Sequence, residues 1–599
     1  MNIVRVTRTF AVALVLVLTA AGLWAAAAEE EPAAAMEQEM VMDPTTGKMV
    51  TAPEYGGTFA HAIKGDYPVA DTWFQHGPGN LVAPVVEKLG IADWAIPRDQ
   101  NSLTSTGVVL GIPLRGQLAE SWEQPDPLTI IFHIRQGVHW HDKAPMNGRE
   151  LNASDIEYNL HRVTGLGSGF TEPSPRDWIK DLPIESIAAT DEWTVVVKLK
   201  EPSLQALMNL ALAQTGTILP PEVIKQQGDV KDWRNLVGTG PYMLTDRVEE
   251  SSITYERNPD YWGHDEKYPE NRLPYTDKIR TLIMPETATI LAALRSRQLD
   301  YTGHAGASSI TSIDQAESLK RTNPEIVQWH VFGRSETALG FDVINPPFDD
   351  LRVRKAMQMA IDSEAVNNTY FKGIGVATPH GWVRVEGYNI PFAQWPEEVK
   401  KGYRYDPEGA EALLDAAGLS RGSDGVRFKT KMTHFQRVDI NPMQALVEYW
   451  REIGVDVEIE VVDVPTLVDR VHNHTFEGMV TSIAAVDWSP PAAVRQSHSA
   501  TAFNRTGLTG ANKDSVYDAM VEAADAAATL EEQKRLVGEA DMYAIERHWY
   551  LWGPMAPSIL AHQPWVKGYN GETDLGSVSA GLVYARLWID SAMKEAMGY

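Results

Sequence analysis

TIIFHIRQGVHWHD, residues 129–142, is the stretch from which the fold is read. Ile130, Phe132 and Ile134 alternate with Ile131, His133 and Arg135, the period-two pattern of a strand with one buried face. Gly137 offers a left-handed turn position before Val138 and Trp140 resume the alternation. A two-residue Gln136-Gly137 turn pairs Ile134 with His139 and mixes apolar with polar positions. A three-residue turn, Arg135 to Gly137, pairs Ile134 with Val138 and Phe132 with Trp140, which gathers the apolar side chains on one face. This second register is preferred, and it places His133 opposite His139, with His141 two residues along the same face. Three imidazoles beside Asp142 are the donor types of a zinc or nickel site. The same residues also make an ordinary solvated face, which is the preferred reading.

Downstream, ELNASDIEYNLHRV (150–163) predicts a helix with Asn152 as its N-cap and Asp155 completing a capping box. Its buried stripe is Ile156, Leu160 and Val163. YDPEGAEALLDAAGL (405–419) has Asp406 to cap, Pro407 at the first helical position, and Gly418 to stop the helix. Helical spacing also marks Val353, Ala356, Met357, Ala360 and Ile361. After MQALVEYWREIG (443–454), Val455, Val457, Ile459 and Val461 alternate with acidic residues, so a helix feeds a half-buried strand. Strands and helices alternate in this way along most of the chain, which predicts an α/β fold.

The chain has 599 residues, more than a single core accommodates, so two or three domains are expected. Apolar content of 44% with 22% charged residues is that of a soluble globular protein. A net charge of −27 disfavours nucleic acid and anionic membrane surfaces as partners. There is no cysteine, which excludes disulfides, a thiol nucleophile, Cys-ligated zinc and an acyl-cysteine lipoprotein anchor. Arg5 and Arg8 precede an apolar run, Phe10–Ala28, that closes on Ala26-Ala27-Ala28. This predicts a signal peptide over 1–28 and a periplasmic product, with an uncleaved membrane anchor as the alternative. Residues 29–53, acidic and rich in Ala, Met and Pro, read as a flexible linker.

No zincin, nucleophile-elbow, P-loop or dinucleotide fingerprint occurs. No catalytic residue is nominated, and neither a cofactor nor a metal is expected. Eighteen tryptophans are an excess that would suit a cleft offering broad apolar contact to a ligand.

LAESWEQPDPLTIIFHIRQGVHWHDKAP (118–145), followed by ELNASDIEYNLHR, resembles the signature of the family 5 extracellular solute-binding proteins, the peptide and nickel receptors of ABC importers. Ala119, Trp122, Phe132, Ile134, Arg135, Gly137, Val138, Trp140 and Asp142 carry the likeness. GTGPYML (238–244), ERNPDYWG (256–263), QLDYTG (298–303) and DDLRVRKAMQMAID (349–362) extend it in order, as does YDPEGAEALLDAAGL. The resemblance implies a two-lobed periplasmic-binding-protein fold with an extra inserted domain and a hinge between lobes. It places domain I at 54–79, 216–335 and 560–599, domain II at 80–215, and domain III at 336–559. It implies a monomer that binds a peptide or other small solute and delivers it to a transmembrane permease. Ala62, Ile63 and Lys64 match the segment that runs along the ligand after the first strand. Trp382 and Arg384 in PHGWVRV (379–385) lie where the family has cleft residues. Asp487 and Trp488 in TSIAAVDWSPP (481–491) match the segment whose aspartate pairs with a ligand amino group. The Gly-Trp that precedes that aspartate in the family is missing here. A nickel or metal-chelate receptor is the alternative within the family. A secreted hydrolase or a structural envelope protein is the alternative outside it.

Overall fold

The computed structural model describes residues 39–599 except 67–68, 74–78, 101–102, 104–113, 175–181, 213–215, 304–309, 311, 333–334, 437–438, 485–488, 502–503 and 574–579. The apolar N-terminal run therefore lies outside the described residues, and no helix within them is long and apolar enough to cross a membrane. Part of the stretch read as a linker has defined structure. β1 (Met40–Asp43) and β2 (Lys48–Thr51) pair antiparallel, with Met42 opposite Met49. β3 (Thr58–Ile63) then enters the largest sheet.

The TIIFHI stretch forms a strand but does not pair as its pattern suggested. β4 (Ala119–Asp126) and β5 (Thr129–Ile134) make the hairpin, closed by Pro127-Leu128 with the Asp126 carboxylate accepting from Leu128 N at 2.8 Å. Phe132 lies opposite Trp122 on one side and Val195 on the other, because β6 (Ile184–Ala189) and β7 (Thr194–Leu199) complete a four-stranded sheet in the order β4-β5-β7-β6. Val138 to His141 follow as irregular chain with one bridge, His139 to Glu150. The expected partner was local, and the true ones lie ten residues upstream and sixty downstream. Burial was nevertheless assigned correctly, since Phe132, Ile134, Val138 and Trp140 are all in the core.

The three histidines do not share a face. His133 is half-buried beside Glu123, with 3.1 Å between Nε2 and Oε1. His139 Nδ1 lies 3.4 Å from Gly148 O. His141 is buried, and its Nε2 donates to Gly240 O at 2.9 Å. Burial pulls its pKa down to about 4, so it packs as a neutral ring. It thereby ties VHWHD to GTGPYML. Gly238 in that second motif passes so close to Val85 that an added Cβ would lie 1.8 Å from its carbonyl oxygen. α1 (Ala153–Thr164) has the expected cap: Asn152 accepts from Ser154 N, and the Asp155 side chain accepts from Asn152 N.

β8 (Tyr242–Val248), β9 (Ser252–Arg257), β10 (Lys278–Ile283), β11 (Tyr301–Thr302) and β12 (Val327–Val331) join β3 in the large sheet. The chain then crosses to a five-stranded sheet of β13 (Ser335–Phe341), β14 (Phe428–Phe435), β15 (Val455–Val462), β16 (Met479–Ala484) and β17 (Tyr550–Trp552), ordered β15-β14-β16-β13-β17. It returns through 553–557 to β18 (Ser558–His562), which fits between β11 and β12.

Helices cover the five-stranded sheet. α2 (Leu351–Met359) packs with α3 (Pro407–Ala416), which Asp406 caps by accepting from Gly409 N. α4 (Ile440–Glu452) leads through Gly454 into β15. The expected alternation along β15 holds at Val455, Val457 and Ile459, then changes face. Val461 is exposed, while Val462 packs with Phe435, Leu467, Val471, Phe476 and Val480. The sheet is covered on its second side at that end, so the buried parity changes.

Candidate ligand cleft

Two chain segments link the large and five-stranded sheets, and strand register shows what each sheet presents to them. β3, β10 and β11 are mutually parallel neighbours, as are β14, β15 and β16. Along β11 the partners on β18 run from His562 at Tyr301 to Ala561 at Thr302, toward the residue where β18 begins. Along β16 the partners on β13 run from Phe341 at Met479 to Ser335 at Ala484, toward the residue where β13 begins. Each of those first residues directly follows a crossing. Both sheets therefore turn the carboxyl ends of their parallel strands toward the same pair of crossings, and the crevice outside such ends is where open α/β sheets take ligands.

The sequence-nominated residues divide around this edge. Ala62 and Ile63 end β3, but their side chains are buried in the cores of the large sheet, and Ile63 O accepts from Met284 N. Lys64, half-buried, comes next at the edge itself. Asp487 and Trp488 lie outside the described residues. The strand that leads to them ends at Ala484, on the crossing edge.

Trp382 and Arg384 belong to a loop held on the second crossing. Val376 exchanges backbone hydrogen bonds with Met555, and the Arg384 guanidinium reaches Met555 Sδ at 3.3 Å. The Trp382 indole is buried, set edge-on to Tyr550 and Trp552 at centroid distances of 4.7 and 5.5 Å. His380 lies against the same Trp552 at 4.8 Å. Its Nδ1 donates to Gly381 O at 2.9 Å, and burial pulls its pKa down to about 4, leaving Nε2 a neutral acceptor. His380 Nε2 and Trp382 Nε1 are buried and have no hydrogen-bond partner. One is an acceptor and the other a donor, both on a single five-residue loop, and buried polar atoms in native proteins are rarely left so.

The loop is anchored from below by Asp541 on α5 (Leu530–Glu546). Its carboxylate accepts from Trp382 N at 2.9 Å and from Val383 N at 3.3 Å. Complete burial outweighs both donors and pushes its pKa up to about 7. Gly381 makes the approach sterically feasible, because a Cβ there would lie 2.5 Å from both Asp541 oxygens. Sequence reading missed His380 and Asp541. His380 was inside the quoted PHGWVRV. Asp541 carried a subtler signal, an acid on the buried stripe of Val537, Ala540, Ala544 and Ile545.

Among the described residues no group of three or more His, Asp or Glu side chains converges to hold a metal. A surface depression of about 450 Å3 lined by Tyr370, Gln444, Glu448 and Arg451 lies at α4 and β15. β15 is the edge of the five-stranded sheet farthest from β17, and none of the nominated residues lines the depression.

Residues 113–505 match the family described as bacterial extracellular solute-binding proteins, family 5 Middle. The chain is 27% identical over 356 residues to the dipeptide-binding protein of Escherichia coli K12, a match covering 57% of this chain and 62% of that protein. Among solved structures it resembles the ABC transporter-associated periplasmic binding protein DppA of Helicobacter pylori in complex with the peptide STSA. The TM-score is 0.69 at 20% identity, over 90% of this chain and 99% of that one. It likewise resembles NikA of Brucella suis in complex with Fe(III)-EDTA, with a TM-score of 0.70 at 19% identity, over 89% of this chain and all of that one. The fold is therefore the two-lobed arrangement of periplasmic binding proteins.

Proposed function

The chain belongs to the family 5 bacterial extracellular solute-binding proteins, and from that membership we propose that it is the receptor of an ABC importer that captures a peptide or other small solute between its two sheets and delivers it to a membrane permease. The observation that carries this reading is the cleft edge. Strand ends of both sheets converge on the crossings, and the loop fixed there carries the unpartnered His380 Nε2 and Trp382 Nε1. A peptide group supplies both a donor and an acceptor to such a pair.

Lys64, Trp382 and Arg384 are the proposed contacts from the described residues, with Asp487 and Trp488 joining them from the end of β16. Ala62 and Ile63 contribute by setting the course of β3 rather than by side-chain contact, since both are buried and, unlike Trp382, carry no polar side-chain atom. Secretion through a cleaved 1–28 signal peptide to the periplasm belongs to this proposal. So does the division into domains at 54–79, 216–335 and 560–599, at 80–215, and at 336–559. Binding is the function of the family, and no catalytic step is assigned.

The test is a thermal-shift screen of short peptides, amines, oligosaccharides and metal chelates, because a ligand of the native state alone raises its melting temperature. Short peptides are expected to give the largest rise. Calorimetry on Asp487→Ala should then show at least a tenfold weaker Kd for an amine-bearing ligand. Stabilisation by chelates alone would transfer the protein to the metal-chelate reading. An unchanged Kd in Asp487→Ala would remove that residue from the site.

A further inference from the structure

The hairpin of β1 and β2 lies outside the ligand cleft and has two chemically different faces. Opposite residues of an antiparallel pair share a face, and successive residues alternate. One face therefore holds Val41, Val50, Asp43 and Lys48, and the other holds Met40, Met42, Met49 and Thr51.

The first face is attached to the body. Asp43 is buried, accepts from Thr45 N and Thr45 Oγ1 at 2.8 and 2.6 Å, and takes the Lys267 ammonium at 3.3 Å. Arg98 N donates to Thr45 O at 3.1 Å. The Lys267 and Arg98 cations lie over the Trp94 ring at 4.9 and 4.8 Å. With one face fixed in this way, the other must point outward. Met40, Met42 and Met49 are 50%, 60% and 54% exposed, and among the described residues they are the methionines that stand exposed. The remaining described methionines are buried or half-buried, so this concentration is not a general property of the surface.

We propose that Met40, Met42 and Met49 form a thioether site for a soft monovalent cation of the copper(I) class. Met42 and Met49 are directly paired, with Cβ atoms roughly 5 Å apart in such pairs, and Met40 is two residues along the same strand, roughly 7 Å away. Each sulfur is two bonds beyond its Cβ on an unbranched, adaptable chain, so three sulfurs close on one ion without moving the backbone. Thioethers select copper(I) over harder cations. The chain has no cysteine, so these are the softest exposed donors among the described residues. The carboxylate nearest in the register, Asp43, is turned to the opposite face and engaged by Lys267, leaving the thioether face without a charged hard donor from its own strands.

The test uses the whole chain carrying methyl-13C methionine, titrated with silver nitrate in chloride-free buffer; silver(I) is the redox-stable probe of this class. The ε-methyl signals of Met40, Met42 and Met49, assigned from the three single Leu variants, should move together and saturate at one equivalent. Met42→Leu should weaken binding at least tenfold, and the triple Leu variant should lose the saturable event. Magnesium should leave all three signals in place. Leucine keeps the bulk and apolarity of the face and removes only the sulfur, so an apolar docking patch would survive the triple variant while a metal site would not. Signals that stay in place at one equivalent of silver overturn the proposal, as does a triple variant that takes up silver like the parent. If the triple variant does not fold, the parent titration and Met42→Leu decide the matter.

Discussion

Asp541 is a carboxylate kept from water beneath the 380–384 loop, where burial raises its pKa and its oxygens accept from the loop's amides. Its folded pKa is raised from 3.8 to about 7 by burial. The native state thus holds this proton more tightly than the unfolded chain does, and stability from this group falls as pH rises from about 4 to about 7 and is level above. Asp541→Asn removes that titration while keeping one acceptor for Trp382 N. Urea midpoints of the two proteins should therefore diverge with pH, the Asn variant gaining on the parent between pH 5 and pH 8. A constant difference across that range would mean that the carboxylate does not titrate there. Read from residues alone, this group gave only the faint signal of an acid on a buried helical stripe, because an aspartate in a helix is ordinarily solvated. The close approach of Gly381 and of the Trp382 and Val383 backbone amides closes over it.

Caps and turns were legible at the scale of single elements, and strand pairing was not. Asn152 and Asp406 cap their helices as read, because each acts on amides within three residues of itself. β5 was assigned to the wrong neighbour because its alternation records only which side is apolar, and any strand with a matching face satisfies it. Asp126 and Pro127, turn residues just upstream, were the local clue to β4. β15 shows the same limit within one strand. The change of face at its end comes from the second helical cover and gives a direct test. Val462→Ala should cost roughly 2 kcal/mol in chemical denaturation through a lost core contact, while Val461→Ala should stay within about 0.5 kcal/mol. Equal effects would mean that the alternation never changes face.

Across the whole molecule, the proposed receptor function assigns the two crossings, with strand ends turned toward them, the role of a hinge on which the lobes close around a ligand. Solution scattering should show a smaller radius of gyration on adding a peptide that stabilises the protein, and an unchanged radius would argue for a rigid, preformed site. The resemblance gave an expected place for the cleft, since ordered motifs fix the order of strands. The groups proposed to line it were less legible, because the ends of β3 and β16 and the 380–384 loop come from distant parts of the chain. That distance has a further consequence. β18 is the second-last position of the large sheet, set between strands that precede it by more than two hundred residues: Ser558 pairs with Val331, and Ala561 with Thr302. Non-local pairing of this kind is slow. A chain made or exported from its N-terminus leaves β11 and β12 with open edges until residue 562 has emerged. The long wait keeps the early strands unlocked, which fits the export proposed for this chain.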